Sequence, residues 1–195
     1  MLKRIGVTLF LVLFLASQAI ASPINDVKKT VDEVVRIVAS KDLEKNVQKR
    51  RLALKKTISQ IFDYSEMAKR SMGKHWNSRT PEEKKQFSEL FANLLENSYA
   101  AKIESYNNEK IVYLNEIVDA DYVEVKSKVV TAKRDEFTLD YRLHNGNGNG
   151  KWMVYDVVIE GVSLVSNYRT QFSKVIAANG YNGLVSKLQA KLGDL

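Results

Sequence analysis

The chain has 195 residues, a formal net charge of +7 at pH 7 and no cysteine. This length fits one domain, which can bury a core without disulfide bonds. The lack of cysteine excludes thiol catalysis, a disulfide scaffold and a cysteine-ligated zinc site.

Residues 1–21 have the order of a secretory signal peptide. Lys3 and Arg4 precede a largely apolar run over 5–16, and Ala19-Ile20-Ala21 is a small-x-small cleavage site. The run is shorter than the ~20 apolar residues that span a membrane. We therefore predict cleavage after Ala21, export, and one domain over residues 22–195. A basic, cysteine-free exported chain is typical of a bacterial envelope protein that meets anionic lipid surfaces rather than nucleic acid.

Helical patterns fill the first half of the mature chain. Apolar residues at steps of three and four predict a helix over 23–39, and Leu52, Ile58 and Ile61 continue helical spacing further on. Between them, residues 41–51 are strongly charged, which favours a solvated helix face over a binding patch. A short helix is predicted over 63–72, ended by Gly73.

The longest predicted helix begins at Thr80-Pro81, where Thr80 and Glu83 form a capping box. A broad apolar stripe follows along it. We expect this stripe to pack on a sheet, because that is the obvious large partner. The stripe contains Phe87, Leu90, Phe91, Leu94, Leu95, Tyr99 and Ile103.

From residue 111 the apolar period changes to two, which predicts strands over 111–118, 123–129, 137–143 and 152–159. Short turns between them, including the glycine-rich turn 145–150, imply a four-stranded antiparallel sheet with one apolar and one polar face. The last strand stops at Glu160-Gly161. Two further helices are predicted after it, over 165–178 and 182–192. The fold class is α+β, with several helices packed on the sheet. The space between the layers can hold a ligand cavity or a filled core, and the pattern leaves both open.

Residues that could perform chemistry are few. His75 and His144 lack a partner histidine or carboxylate at metal-ligand spacing. Asp156 and Glu160 are four residues apart, but pairing with nearby Lys or Arg is favoured over acid–base work. The sequence contains neither a G-x-S-x-G nucleophile motif nor a phosphate-binding loop. We therefore expect no catalytic activity, no metal and no cofactor.

Two blocks of sequence resemble a known family. Residues 160–165 (EGVSLV), followed by NYR at 167–169 and QF at 171–172, are similar to the hallmark of the MlaC family, also known as toluene-tolerance or ABC-transporter auxiliary proteins. Residues 152–157 match its W-x-V-Y-D-V segment. An earlier block, G-x-x-W at 73–76 followed by Thr80, Glu83, Phe87, Phe91, Leu94-Leu95 and Tyr99, also agrees.

The resemblance implies a periplasmic phospholipid carrier that helps to maintain outer-membrane lipid asymmetry. Such a protein shuttles glycerophospholipid between an outer-membrane lipoprotein–porin complex and an inner-membrane ABC transporter with an MCE-domain ring. The implied fold has a nuclear-transport-factor-like sheet, with acyl chains between sheet and helices, and the implied state is a monomer.

The candidate lipid-binding residues come from the inward positions of the strands, from the corner after the last strand and from the apolar sides of two helices. Regular alternation points Val154 and Val157 to opposite faces, so one of the two is expected to be misplaced. Val162→Glu is expected to give a folded, lipid-free protein. The candidates are Met67, Leu90, Leu94, Val125, Val129, Phe137, Leu139, Tyr141, Val154, Val157, Val162 and Leu164.

Two other functions stay open. One is a protein-interaction module without bound lipid, which uses the helix face and the basic surface. The other is a pocket enzyme, which needs a buried acid among Asp140, Asp156 and Glu160.

Overall fold

Six helices and five strands make up the part of the chain that the computed structural model describes, residues 22–146 and 150–193. The predicted signal peptide and the middle of the predicted turn 145–150 lie outside the described residues. The helices before the sheet are α1 (Pro23–Val38), α2 (Lys41–Glu44), α3 (Val47–Ile58), α4 (Tyr64–Met72) and α5 (Pro81–Glu104), with a short 3-10 turn over Gly73–His75.

The helix boundaries follow from capping. Asp63 accepts a hydrogen bond from the backbone N–H of Glu66 at 2.9 Å and so begins α4. Gly73, at φ 53°, ends the same helix. Thr80 and Glu83 form the predicted capping box at the start of α5, where Pro81 occupies the first turn. In α3 the structure buries Leu54, whereas Leu52, which the sequence analysis used for its helical spacing, is exposed.

The strands form one antiparallel sheet in the order β1-β2-β3-β4-β5. They span β1 (Lys110–Asp119), β2 (Tyr122–Val130), β3 (Glu136–His144), β4 (Met153–Ile159) and β5 (Val162–Ser163). The α+β fold is thus confirmed, with five strands rather than four. The fifth strand escaped prediction because it is two residues long. It pairs Ile159 with Val162 across a tight turn at Glu160 and Gly161, whose φ angles are 49° and 75°.

A bulge in β4 corrects the prediction for Val154 and Val157. Val157 pairs with Tyr141 and Val154 with Leu143, so Tyr155 is an extra residue between them. Both valines are buried in the same core, and the expectation that one of them faces away was wrong. A second bulge in β1, at Leu114, explains the blurred alternation of that strand.

The buried apolar residues form two cores. The helical core joins α4, α5 and the last helix, α6 (Leu164–Gly193), which is broken at Gly180. The stripe of α5 packs there, on α4 and α6, so the expectation that it packs on the sheet was wrong. Aromatic residues of α6 supply the large apolar surface that the stripe needs: Phe172 lies edge-on to Phe87 at 5.6 Å between ring centroids.

The second core lies between the sheet, α1 and the loop before α4. Phe62 contacts both cores and forms a parallel bridge with Val154 at the outer edge of β4. The backbone N–H of Val154 donates to the carbonyl of Ile61 at 2.7 Å, which fixes this loop to the sheet. Among the described helices, none is long and apolar enough to cross a membrane.

Candidate functional site

The apolar face of the sheet is divided into two halves, which we call the covered half and the open half. In the covered half, α1 and Ile61 pack on the sheet, and Val27 of α1 is almost fully buried. Glu116 of β1 accepts a hydrogen bond from the backbone N–H of Ile24 at 3.1 Å and so holds the start of α1 against the sheet. The strand residues of the covered half are Val123, Val125, Tyr141, Leu143, Val154 and Val157.

The open half continues the same face toward the other end of the strands. Strand register places its six apolar residues in two cross-strand rows, Ile111–Val129–Phe137 and Leu139–Ile159–Val162. Phe137 is 36% exposed and Val162 is 59% exposed. No described residue packs closely enough on these two side chains to bury them. A half-covered apolar sheet face of this kind is suited to an apolar ligand or partner.

A groove of about 520 Å³ between α1 and β1 adjoins the open half. Val31 and Val35 of α1 line one wall, and Ile111, which also belongs to the open half, lines the other. The groove and the open half therefore meet at Ile111, and the groove volume lies in the range of small-molecule sites. The groove is also lined by charged side chains of both signs, Lys28, Asp32 and Glu109.

The hydroxyl of Tyr113 is buried at this groove and has no hydrogen-bond partner among the described residues. Burial, reinforced by the negative charge of Asp32, raises the pKa of Tyr113. Burial likewise raises the pKa of Tyr141 in the covered half. Both phenols therefore stay neutral at physiological pH, and neither adds charge to the apolar surface.

The three acids that a pocket enzyme would need are engaged elsewhere. Asp140 accepts hydrogen bonds from the Lys126 Nζ at 2.8 Å and from the backbone N–H of Ser127 at 3.0 Å. Asp156 holds the start of α6, and Glu160 accepts from the backbone N–H of Thr138. Asp140 and Asp156 belong to the polar face of the sheet, so the pocket-enzyme hypothesis gains no support from the geometry.

His144 lies 3.1 Å from a carboxylate oxygen of Asp63. Within residues 22–146 and 150–193, no group of three or more His, Asp or Glu side chains is arranged to hold a metal ion.

The structure distributes the twelve predicted site residues over three places. The helical core contains Met67, Leu90, Leu94 and Leu164, so these four do not line the sheet face. The covered half contains Val125, Tyr141, Val154 and Val157. The open half contains Val129, Phe137, Leu139 and Val162, of which Val162 is exposed and not part of a closed wall. The structure therefore does not bring all twelve onto one surface, and their role in lipid binding stays a prediction.

The wall of the candidate site that α1 and β1 form was not predicted from the sequence. The missed residues include Val31 and Val35 of α1 and Ile111 and Tyr113 of β1. The apolar face of α1 was visible in the sequence, but its partner was not. In β1 the bulge at Leu114 hid the alternation that could have marked Ile111 and Tyr113 as inward-facing.

Comparisons with known proteins agree with this architecture. A solved structure of a phospholipid-binding protein from Ralstonia solanacearum, in complex with a phospholipid, matches with a TM-score of 0.79 and 31% sequence identity. The match covers 89% of this chain and 98% of that chain.

Two characterised relatives are also similar in sequence. The intermembrane phospholipid transport system binding protein MlaC of Haemophilus influenzae is 26% identical over 121 residues, which is 60% of this chain and 56% of that protein. The toluene tolerance protein ttg2D of Pseudomonas putida is 28% identical over 145 residues, 73% of this chain and 66% of that protein. The matches thus span less than two thirds of either relative.

The family resemblance seen in the sequence is confirmed by a family model. The model described as MlaC protein matches residues 28–190, which is most of the chain and includes both motif blocks. The chain therefore belongs to the MlaC family.

Proposed function

We propose that this protein binds a glycerophospholipid and carries it between membranes without reacting with it. The acyl chains lie on the apolar face of the sheet, extend from the open half into the groove beside α1, and leave the head group near solvent. The observation that carries this proposal is the incomplete burial of Phe137 and Val162 on the open half, next to a groove that shares Ile111. The phospholipid complex of the Ralstonia solanacearum relative supports the choice of ligand.

The energetics suit a lipid whose acyl chains supply the affinity. Each buried CH₂ group contributes ~0.8 kcal/mol, so two long chains give a gross gain well above any net binding energy. The loss of acyl-chain freedom on binding offsets much of this gain. The groove presents Lys28 together with Asp32 and Glu109, so its charges favour no single head group. We therefore expect the protein to select lipids by their acyl chains and not by their head groups.

The location and partners of the carrier belong to the same proposal. A signal peptide over residues 1–21 would deliver residues 22–195 to the periplasm as one phospholipid-binding domain, monomeric and free of cofactor. There the carrier would exchange lipid with an inner-membrane MCE-domain ABC transporter complex and an outer-membrane lipoprotein–porin complex. Family membership supports these partners, and the names of the two relatives fit a transport role.

Native mass spectrometry of residues 22–195, with lipid extraction from the same preparation, tests the proposal. We expect a bound mass that matches diacyl phospholipid and is mixed in head group. Val162→Glu and Phe137→Glu place a carboxylate on the open half, where hydrocarbon would have to desolvate it, so both variants should carry little or no lipid.

The matched control is Ile117→Glu. Ile117 is 51% exposed and pairs with Glu124, so it belongs to the polar face of the same sheet. This variant should keep the lipid content of the unmodified protein. A lipid-free mass for the unmodified protein would instead favour a protein-interaction module. Equal lipid loss in all three variants would contradict the placement of the chains on the open half.

A further inference from the structure

The surface formed by α2 and α3 concentrates the positive charge of the molecule. Residues 41–58 contain seven Lys or Arg and two acidic residues, a net charge of +5. The chain after residue 21 contains 28 basic and 23 acidic residues and has the same net charge. This one segment therefore accounts for the whole net charge of the predicted mature protein.

The outward side of α3 places a leucine at the centre of this charge. Leu52 is 68% exposed, whereas Leu54 is buried on the opposite side of the helix. Lys49, Lys55 and Lys56 lie three or four positions from Leu52, which makes them its neighbours on the helix surface. We call Lys49, Leu52, Lys55 and Lys56 the basic face of α3.

Ion pairs neutralise only part of this segment. Arg51 lies 3.2 Å from Glu104, and Lys55 lies 2.8 Å from Glu96. The ammonium groups of Lys49 and Lys56 form no ion pair with any residue in the described part of the chain. The basic face thus keeps uncompensated charge beside an exposed apolar side chain.

We propose that the basic face of α3 docks the protein on an anionic lipid bilayer. The lysines would contact lipid phosphates, and Leu52 would insert between the head groups. Charge complementarity selects an anionic lipid surface, and the exposed leucine among the lysines offers an apolar contact to it. An acidic protein could also attract the lysines, but it would need an apolar pocket shaped for Leu52.

This surface is separate from the proposed lipid-binding site, and its role goes beyond carrying lipid. None of its four residues contributes to the groove or to the open half. Docking and lipid binding can therefore fail independently. In the protein, α3 packs on α1, the helix that covers half of the apolar sheet face.

Vesicle sedimentation of residues 22–195 tests the docking. We expect binding to vesicles made of equal parts of phosphatidylcholine and phosphatidylglycerol, none to pure phosphatidylcholine, and a decrease in binding with added salt. The K49Q/K55Q/K56Q variant should bind roughly a hundredfold more weakly, because each lysine near an anionic surface strengthens binding about fivefold. Leu52→Ala should weaken binding several-fold through lost apolar contact.

The matched control is K85Q/K174Q/K187Q, which removes the same charge from exposed positions of α5 and α6. It should bind within about threefold of the unmodified protein, since only the general charge attraction changes. Thermal unfolding followed by circular dichroism checks that every variant is folded. Native mass spectrometry of K49Q/K55Q/K56Q should show an unchanged lipid content, which keeps a failure of docking distinct from a failure of the carrier function.

Three results would overturn the proposal. The first is no binding of the unmodified protein to the anionic vesicles. The second is an equal loss of binding in the two triple variants, which would assign the effect to net charge rather than to this face. The third is unchanged binding of Leu52→Ala, which would exclude insertion.

Discussion

Asp156 of β4 accepts a hydrogen bond from the backbone N–H of Val165 at 3.0 Å and so joins the sheet to the start of α6. Ser163 donates to the same carboxylate at 2.5 Å and accepts from the backbone N–H of Ser166 at 3.0 Å. Asp156 is only 3% exposed, and its carboxylate lies 3.4 Å from the guanidinium of Arg142. A buried negative charge thus satisfies free N–H groups where a helix begins.

Asp156→Asn should destabilise the protein by about 2 kcal/mol. The amide can still accept from Val165, but its NH₂ group faces other donors and carries no charge to offset Arg142. Urea denaturation followed by circular dichroism measures the free energy of unfolding. Asp42→Asn, an exposed change in α2, should stay within about 0.5 kcal/mol of the unmodified protein, and an equal effect of both changes would contradict this role.

Arg70 of α4 connects the helical layer to the polar face of the sheet. Its guanidinium lies 4.0 Å from the centroid of the Tyr155 ring, and its Nε lies 2.8 Å from Glu66. Arg70→Gln should lower the free energy of unfolding by about 1 kcal/mol, since it removes the stacking and the ion pair together.

Lys69→Gln is the control for Arg70. Lys69 also pairs with Glu66, at 2.9 Å, but its side chain is more exposed than that of Arg70. Its loss should cost about 0.3 kcal/mol. If thermal or urea unfolding found the two variants equally stable, the contact between Arg70 and Tyr155 would contribute nothing to stability.

Gly180 breaks α6 so that its second half can return to the helical core. Its φ of 68° and ψ of 178° lie in a region that is essentially restricted to glycine. Gly180→Ala should therefore cost about 1–3 kcal/mol in unfolding free energy, although open space surrounds the position. Gly193→Ala, which also meets no neighbouring atom but has no positive φ, should change stability by less than about 1 kcal/mol. A similar cost at both positions would contradict the backbone explanation.

Burial of Tyr141 predicts a loss of stability at alkaline pH. Its pKa is raised in the folded protein, whereas the unfolded chain has the ordinary tyrosine value of about 10. The folded state therefore holds its proton longer, and its stability falls as pH rises above about 10. Urea denaturation across this range should show a shallower loss for Tyr141→Phe than for the unmodified protein. An identical pH dependence of the two proteins would contradict the prediction.

Local sequence signals predicted the elements that local interactions determine. Thr80 and Glu83 marked the start of α5, and alternation placed Val123, Val125 and Val129 on the buried side of β2. These predictions needed only the helical and strand periods and the chemistry of one cap.

The sequence could not predict features that depend on contacts between distant elements. The bulge at Tyr155 depends on the pairing of β4 with β3, and no residue pattern within β4 predicts it. The division between the two cores depends on α5 packing against α4 and α6, so the sequence did not separate Met67 and Leu94 from the residues of the sheet face. The groove depends on where α1 lies over β1, which is a tertiary contact without a motif.

Site-specific photo-crosslinking tests the central claim, that phospholipid lies on the apolar face of the sheet. A benzophenone amino acid would replace Phe137 in the open half or Ile117, which is more exposed and lies on the polar face. We expect irradiation to attach phospholipid at position 137 and not at position 117, as seen in the mass of the intact protein. Crosslinking at position 117 alone, or at neither position in a lipid-loaded protein, would contradict it.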